Sequence, residues 1–174
     1  MGIDVGLESF ATLSDGTEID NPRYFRESQK RLRWKQRKLA RCKRDSNRRR
    51  KAVQAVAVVH RKVRNQRAHF HHEVSRWIVN RYGLIAIEDL NVKGLAAGML
   101  AKSVRDAGWS SFFSMLSYKA EYAGRELVKV DPRGTSQTCV CGTRVPKGLS
   151  DRWHKCPACG LSAVVLECRQ IRTS

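Results

Sequence analysis

The chain has 174 residues, of which 41% are hydrophobic, and carries a formal net charge of +18 with an isoelectric point near 10.3. That length allows one ordinary domain with a core and a small insert, and the charge selects a polyanionic partner, with nucleic acid ahead of an anionic membrane. No run approaches the roughly 18–20 uninterrupted apolar residues of a spanning helix, and the start MGIDVGLESF lacks the order of a signal peptide, so a cytoplasmic location is expected.

In chain order, Gly2-Ile3-Asp4-Val5-Gly6, Phe10-Ala11-Thr12-Leu13 and Thr17-Glu18-Ile19 read as strands, the last two joined by the turn Ser14-Asp15-Gly16. After Asn21-Pro22 the period lengthens. Phe25, Leu32 and Leu39 stand seven apart among basic residues, which predicts a helix burying one narrow stripe. Asp45-Ser46-Asn47 interrupts it and offers capping side chains to a second, longer helix. The seam of that helix is predicted at Ala52, Val56, Val59, Val63, Phe70, Val74 and Trp77, so residues 22–82 are expected to fold as an antiparallel helical hairpin.

The charge is concentrated on this hairpin. Between Arg23 and Arg67 stand nineteen Lys and Arg against two acids, a net of +17, while the rest of the chain holds fifteen basic against fourteen acidic residues. Such a run repels itself without counter-anions. Arg33, Lys35, Arg37, Lys38, Arg48, Arg49, Arg50, Arg61, Arg64 and Arg67 are therefore read as contacts to nucleic-acid phosphates. Trp34 in their midst either packs against the body, the commoner fate of such a residue, or stacks on a base. His69, His71 and His72 are read as solvent-facing or polar packing residues and not as ligands.

Gly83 closes the long helix, and Leu84-Ile85-Ala86-Ile87 is the continuous apolar run of a strand covered on both faces. A helix carrying Trp109, Phe112, Phe113, Leu116, Tyr118 and Tyr122 leads through Gly124 into an alternating strand at 126–131, closed by Pro132. The result is a mixed α/β layer. Asp4 lies within the first strand, where a lone carboxylate costs several kcal/mol unless compensated. Glu88 ends an otherwise apolar strand, where α/β sheets place their ligand sites. Two such acids on neighbouring strands suit Mg²⁺; the alternative is an ion pair at Asp4 and a plain strand end at Glu88.

Cys139-Val140-Cys141-Gly142 and Cys156-Pro157-Ala158-Cys159-Gly160 form two knuckles, with glycines where tight turns would aim thiolates at one ion. Cys139, Cys141, Cys156 and Cys159 predict a closed, structural Zn²⁺ site without an open catalytic position. The first knuckle is one residue short of the usual C-x-x-C, and His154 is the possible substitute ligand. Cys42 and Cys168 are read as plain thiols.

Taken in order, GIDVGL, ATLSDG, HRKVRNQRAHFHHEVSRWIV, IAIEDLNVKGL, AGWSSF and KVDPRGTSQTC before the cysteines closely resemble the TnpB (OrfB-type) proteins of bacterial insertion sequences, relatives of type V CRISPR effectors. The resemblance covers nearly all of residues 2–160. It implies an RNase H-like (RuvC) mixed α/β sheet with an inserted basic helical hairpin and a zinc ribbon. It further implies Mg²⁺-dependent DNA cleavage by an Asp, a Glu and a second Asp, with a guide RNA selecting the DNA, in a prokaryotic, nucleoid-associated setting. Asp4 and Glu88 match the first two acids. The organisation expected is a nuclease core at 1–134 including the hairpin, a ribbon at 135–162 and an atypical segment at 163–174.

The departure follows Gly160. The family places its third acid after the ribbon, and without gaps the expected acids fall on Val164 and Leu166. Glu167 is the weak candidate, one residue out of register and so about 100° around a helix. Family members also carry N-terminal domains ahead of the first core strand. The expectation is a core with weak or no cutting and incomplete guide binding, or a nuclease-dead relative that acts by occupying DNA or RNA.

Overall fold

The computed structural model describes residues 1–131, 139, 141–146 and 153–164. These fall into two compact units: one draws on Met1–Asn21, Arg81–Asn91 and the chain from Ala120 onward, the other on Pro22–Asn80 and Val92–Lys119.

The first unit holds a five-stranded sheet built from β1 (Gly2–Val5), β2 (Ser9–Leu13), β3 (Glu18–Asp20), β4 (Leu84–Glu88) and β5 (Glu126–Val130), in the order β3-β2-β1-β4-β5. β1, β2 and β3 form an antiparallel meander; β1 pairs parallel with β4, and β4 with β5. Ile3, Phe10, Leu13, Ile85 and Ile87 are buried, and each such side chain contributes about 1.5–3 kcal/mol. Gly6 closes the β1–β2 turn because a Cβ there would stand 2.9 Å from the Ser9 carbonyl oxygen. The Tyr82 hydroxyl donates to Asp15 Oδ2 at 2.7 Å, tying the β2–β3 turn to the residues that lead into β4, and this bond holds the Asp15 carboxyl below its ordinary range. Further along the chain, β6 (Trp153–Lys155) and β7 (Ser162–Val164) form a separate antiparallel ribbon.

The second unit is helical: α1 (Tyr24–Ala40), most of α2 (Asn47–Arg81), α3 (Val92–Leu95), α4 (Ala101–Ala107) and most of α5 (Trp109–Tyr122). α2, with 35 residues, is about 52 Å long. Ser46 caps it as expected, its hydroxyl accepting the Arg49 N–H at 3.2 Å. Tyr24 at the start of α1 packs edge-on against Phe70 of α2, so the two helices run antiparallel from their turn at 41–46. Among the described residues, no helix is long and apolar enough to cross a membrane.

The α2 seam departs from its predicted course. Val59 and Val63 are buried as expected, but beyond them the deepest positions are His71, Ser75 and Ile78, each one residue later than the predicted Phe70, Val74 and Trp77. The polar residues in this core make hydrogen bonds there. His71 Nε2 donates to the Ala107 carbonyl at 2.9 Å, and the Ser75 hydroxyl donates to the His71 carbonyl. Lys119 is buried as well, its ammonium donating to the His72 carbonyl and to Ser75 Oγ, each at 2.7 Å. Desolvation lowers the Lys119 pKa. On α5 the predicted apolar face holds at Trp109, Phe112 and Leu116, whereas Tyr118 and Tyr122 are exposed.

Gly108 sits between α4 and α5 with φ 69°, and a Cβ there would lie 2.8 Å from Arg67 Cδ and 3.2 Å from His71 Cε1. Both the left-handed backbone and the close approach of α2 require glycine at that point of the AGWSSF motif.

Candidate metal centres and nucleic-acid interface

Asp4 and Glu88 come together through strand register. Gly2 pairs with Ala86 and Ile3 with Ile87, and one further step along both parallel strands sets Asp4 level with Glu88. Alternation puts Ile3 and Ile87 on the buried face and turns both acids to the other face, where each is half-buried. Neighbouring strands lie about 4.8 Å apart, so the backbone sets the two acids side by side. Both are hard oxygen donors, and the buried isoleucines fix the backbone from which they project, so the pair fits Mg²⁺. On the far side of β4, Val130 stands level with Glu88, and Lys129 pairs with Asp89 at 3.7 Å. Among the described residues, no third acid joins Asp4 and Glu88 to form a three-ligand group. Glu167 lies outside the described residues, as do Leu166 and Cys168. Position 164 belongs to β7, paired with Trp153 in the ribbon.

The cysteine quartet converges. The four Sγ atoms of Cys139, Cys141, Cys156 and Cys159 all lie within 4.8 Å of one another, with Cys139 to Cys159 at 3.5 Å and Cys141 to Cys156 at 3.6 Å. A tetrahedron with Zn–S of about 2.3 Å has an edge of about 3.8 Å, so the donor set fits zinc. The short first knuckle still closes: the Cys139 N–H bonds the Thr143 carbonyl at 2.9 Å, and Gly142 supplies φ 85°. In the second, the Cys156 N–H bonds the Leu161 carbonyl at 2.8 Å, and Gly160 supplies φ 72°. Four cysteines thus offer four sulfur ligands, while the side chain of His154 lies outside what the structure describes.

Thr143 polarises the first knuckle, its hydroxyl 3.3 Å from Cys141 Sγ, and lowers that thiol to about 6. Backbone N–H bonds lower Cys156 in the same sense. At Cys159 the Leu161 N–H also favours thiolate, but the neighbouring Cys139 and Cys156 sulfurs outweigh it and push the thiol up to about 12. Four sulfurs this close need a cation before all can ionise.

The predicted phosphate contacts are spread along the hairpin. Arg33, Arg37, Lys38, Arg48, Arg50, Arg61 and Arg64 are exposed, and Lys35 and Arg49 are half-buried. Arg67 stands apart: it is half-buried and pairs with Asp106 at 3.7 Å, close to Gly108. Trp34 does not pack against the body, contrary to the commoner fate. It is 60% exposed, with Lys35 and Lys38 Nζ atoms 5.4 and 5.6 Å from its ring centroid. His69 is solvent-facing and pairs with Glu73 at 3.0 Å, while His71 is a polar packing residue. Burial drives the His71 pKa down to about 4, against the Ala107 hydrogen bond that raises it. Cys42, just beyond the end of α1, donates to the Lys38 carbonyl.

Comparison with known proteins gives the family. Residues 1–98 match the OrfB_IS605 family, described as "Probable transposase", and residues 109–164 match the Cas12f1-like TNB domain. A "Putative RNA-guided DNA endonuclease" of Streptomyces pristinaespiralis is 40% identical over 144 residues, covering 82% of this chain and 36% of that protein. The "Putative RNA-guided DNA endonuclease InsQ" of Escherichia coli K12 is 32% identical over 90% of this chain and 43% of its own length. The "CRISPR-associated endodeoxyribonuclease Cas12f1" of Sulfoacidibacillus thermotolerans is 30% identical over 94% of this chain and 42% of its own. The chain thus spans less than half the length of these relatives. In the cryo-EM structure of a Cas12f1–sgRNA–target DNA complex, one protein chain superposes with a TM-score of 0.64 at 18% identity, over 98% of this chain and 48% of that one. The shared fold bears out the expected α/β core with its helical insertion. The chain belongs to the OrfB_IS605 family of TnpB-like proteins.

Proposed function

We propose that this chain is the nuclease-core and zinc-ribbon portion of an RNA-guided DNA endonuclease, with Asp4 and Glu88 as its catalytic acids. The organisation proposed is a core at 1–134 carrying the basic hairpin 22–82, a ribbon at 135–162 and a departing segment at 163–174. The observation that supports this most is the β1–β4 register, which sets the two acids level on one face of the sheet.

Asp4 and Glu88 are the residues that would hold Mg²⁺, which when bound activates water and offsets charge at the scissile phosphate. The chain itself supplies two fixed carboxylates on rigid strands. The exposed hairpin cations position a nucleic-acid backbone by charge without reading its bases. The proposed partners are DNA and a guide RNA, the ligands implied by the names of the relatives. The Cys139, Cys141, Cys156 and Cys159 quartet would hold Zn²⁺ structurally, since four protein ligands leave no position for substrate.

With Val164 and Leu166 where the resemblance expects acids, cleavage is expected to be weak or absent. The second reading, a nuclease-dead protein that acts by occupying DNA or RNA, draws on the same residues. Mg²⁺-dependent cleavage of labelled single-stranded DNA by the chain, by Asp4→Ala and by Leu166→Asp separates the two. Activity gained with Leu166→Asp and lost again when Asp4→Ala is added supports a core disabled at its third ligand. Cleavage by the unaltered chain that Asp4→Ala abolishes means that another group, Glu167 first, completes the site. Binding without cleavage in every variant favours occupancy.

A further inference from the structure

We infer that the cleft at the turn end of the α1–α2 hairpin binds a single-stranded nucleic-acid segment, with Trp34 as the platform on which an unpaired base stacks; the inference rests on the nucleic-acid reading of the hairpin. The cleft has a volume of about 1110 Å³ and is lined from both helices. Trp34, Lys38 and Arg41 line it from the α1 side, and Arg48 and Lys51 from α2. Ala52 and Ala55 give it small apolar side chains on the α2 side, leaving room for a flat group.

The exposure of Trp34 selects the occupant. An indole that is 60% exposed gains by covering its face, yet the surrounding cleft carries seven Lys and Arg side chains and no acid. An aliphatic partner would cover the ring but strand those cations. A stretch of unpaired nucleotides brings a flat π-surface and a negative backbone together, so one ligand satisfies both features. A base-paired duplex has its bases already stacked and offers the ring only phosphates.

Lys35 and Lys38 bear on the same point. Their ammonium groups stand within about 6 Å of the ring, the range of a cation–π contact, which is weak at an exposed site. An arriving base displaces them from the ring at small cost, and the displaced ammonium groups are then beside the phosphates that flank it. Charge fixes the backbone along the rails of the cleft, and stacking adds a component of affinity that salt does not screen.

The test uses the full chain and three fluorescein-labelled 15-mers: oligo(dT), oligo(U) and an abasic strand of equal charge. Binding is measured by anisotropy across a salt series, with circular dichroism to confirm that each variant is folded. The expected result is about tenfold tighter binding of a base-bearing strand than of the abasic one. Trp34→Ala is expected to remove that preference while leaving the salt slope unchanged, and Trp34→Phe to keep most of it. Comparison of oligo(dT) with oligo(U) distinguishes a DNA from an RNA strand. Equal binding of base-bearing and abasic strands by the unaltered chain, or a preference that survives Trp34→Ala, overturns the stacking site alone. If no strand binds with a salt-dependent affinity, the nucleic-acid reading of the hairpin fails with it.

Discussion

Asp106 of α4 caps the N-terminus of α1 from 81 residues away: its Oδ1 accepts the Phe25 N–H at 2.9 Å, and its Oδ2 the Arg26 N–H at 3.3 Å. The residue at the start of that helix, Arg23, is left-handed with φ 47° and makes no side-chain cap of its own. A carboxylate there satisfies two orphan donors, complements the helix dipole and pairs with Arg67. Asp106→Ala is expected to lower unfolding stability by about 1–3 kcal/mol, and Asp106→Asn by less, since one amide oxygen still accepts. Urea midpoints of the three proteins check this; equal midpoints would reduce the contact to a surface ornament of the fold.

His71 makes a second, pH-dependent prediction. Burial holds its folded pKa at about 4, below the ordinary 6.5, so the neutral ring is the form that the core accepts. Below pH 6.5 the unfolded chain takes up a proton that the folded chain refuses. The stabilisation is therefore complete above pH 6.5 and is lost as the pH falls toward 4, by up to about 3 kcal/mol. His71→Gln is expected to flatten that part of the profile, with the two proteins compared in urea at pH 7, 5.5 and 4.5. Parallel profiles would mean that other groups carry the acid sensitivity.

The sheet is legible in the sequence because its strands declare themselves: alternation at 126–130, an apolar run at 84–87 and a turn at Ser14-Asp15-Gly16 leave little choice of pairing. Asp4 and Glu88 stand out in the sequence as acids within and at the end of apolar strands, but that they lie level follows only from the register continued one step. The lower half of the α2 seam is not. His71, Ser75 and Lys119 are buried because a carbonyl, a hydroxyl and an ammonium find one another across α2, α4 and α5, and hydrophobic periodicity is blind to that. Asp106 escapes for a related reason, since a cap supplied from another helix leaves no local mark. Trp34 is misjudged because the usual burial of tryptophan outweighs its cationic neighbours.

Zinc removal offers a third check. The quartet predicts one zinc per chain by native mass spectrometry, and any single Cys→Ser change among the four should weaken binding by more than the 10–100-fold typical of outer-shell changes. Chelation is expected to release the metal and leave the helical circular dichroism largely intact, because among the described residues α1 to α5 supply the helices and none contains a ligand. Loss of helix on chelation would show instead that the ribbon supports the helical unit.

The hairpin makes its own quantitative claim through salt. Arg48 and Arg50 are exposed and Arg49 is half-buried, at the start of α2 where no acid stands in the first turn. If they meet phosphates, replacing all three with Gln should weaken binding of any sequence alike. The slope of log K against log salt should then fall by about 0.7 for each phosphate left unneutralised on a single strand, or about 0.9 on duplex. Arg67→Gln should behave differently, costing stability through Asp106 while leaving the slope unchanged, because that half-buried guanidinium already has Asp106 as its partner. Titrations between about 50 and 300 mM salt, the range over which phosphate binding weakens steeply, distinguish the two. A slope that moves with Arg67 but not with the triplet would place the anion-binding face on the wrong side of α2.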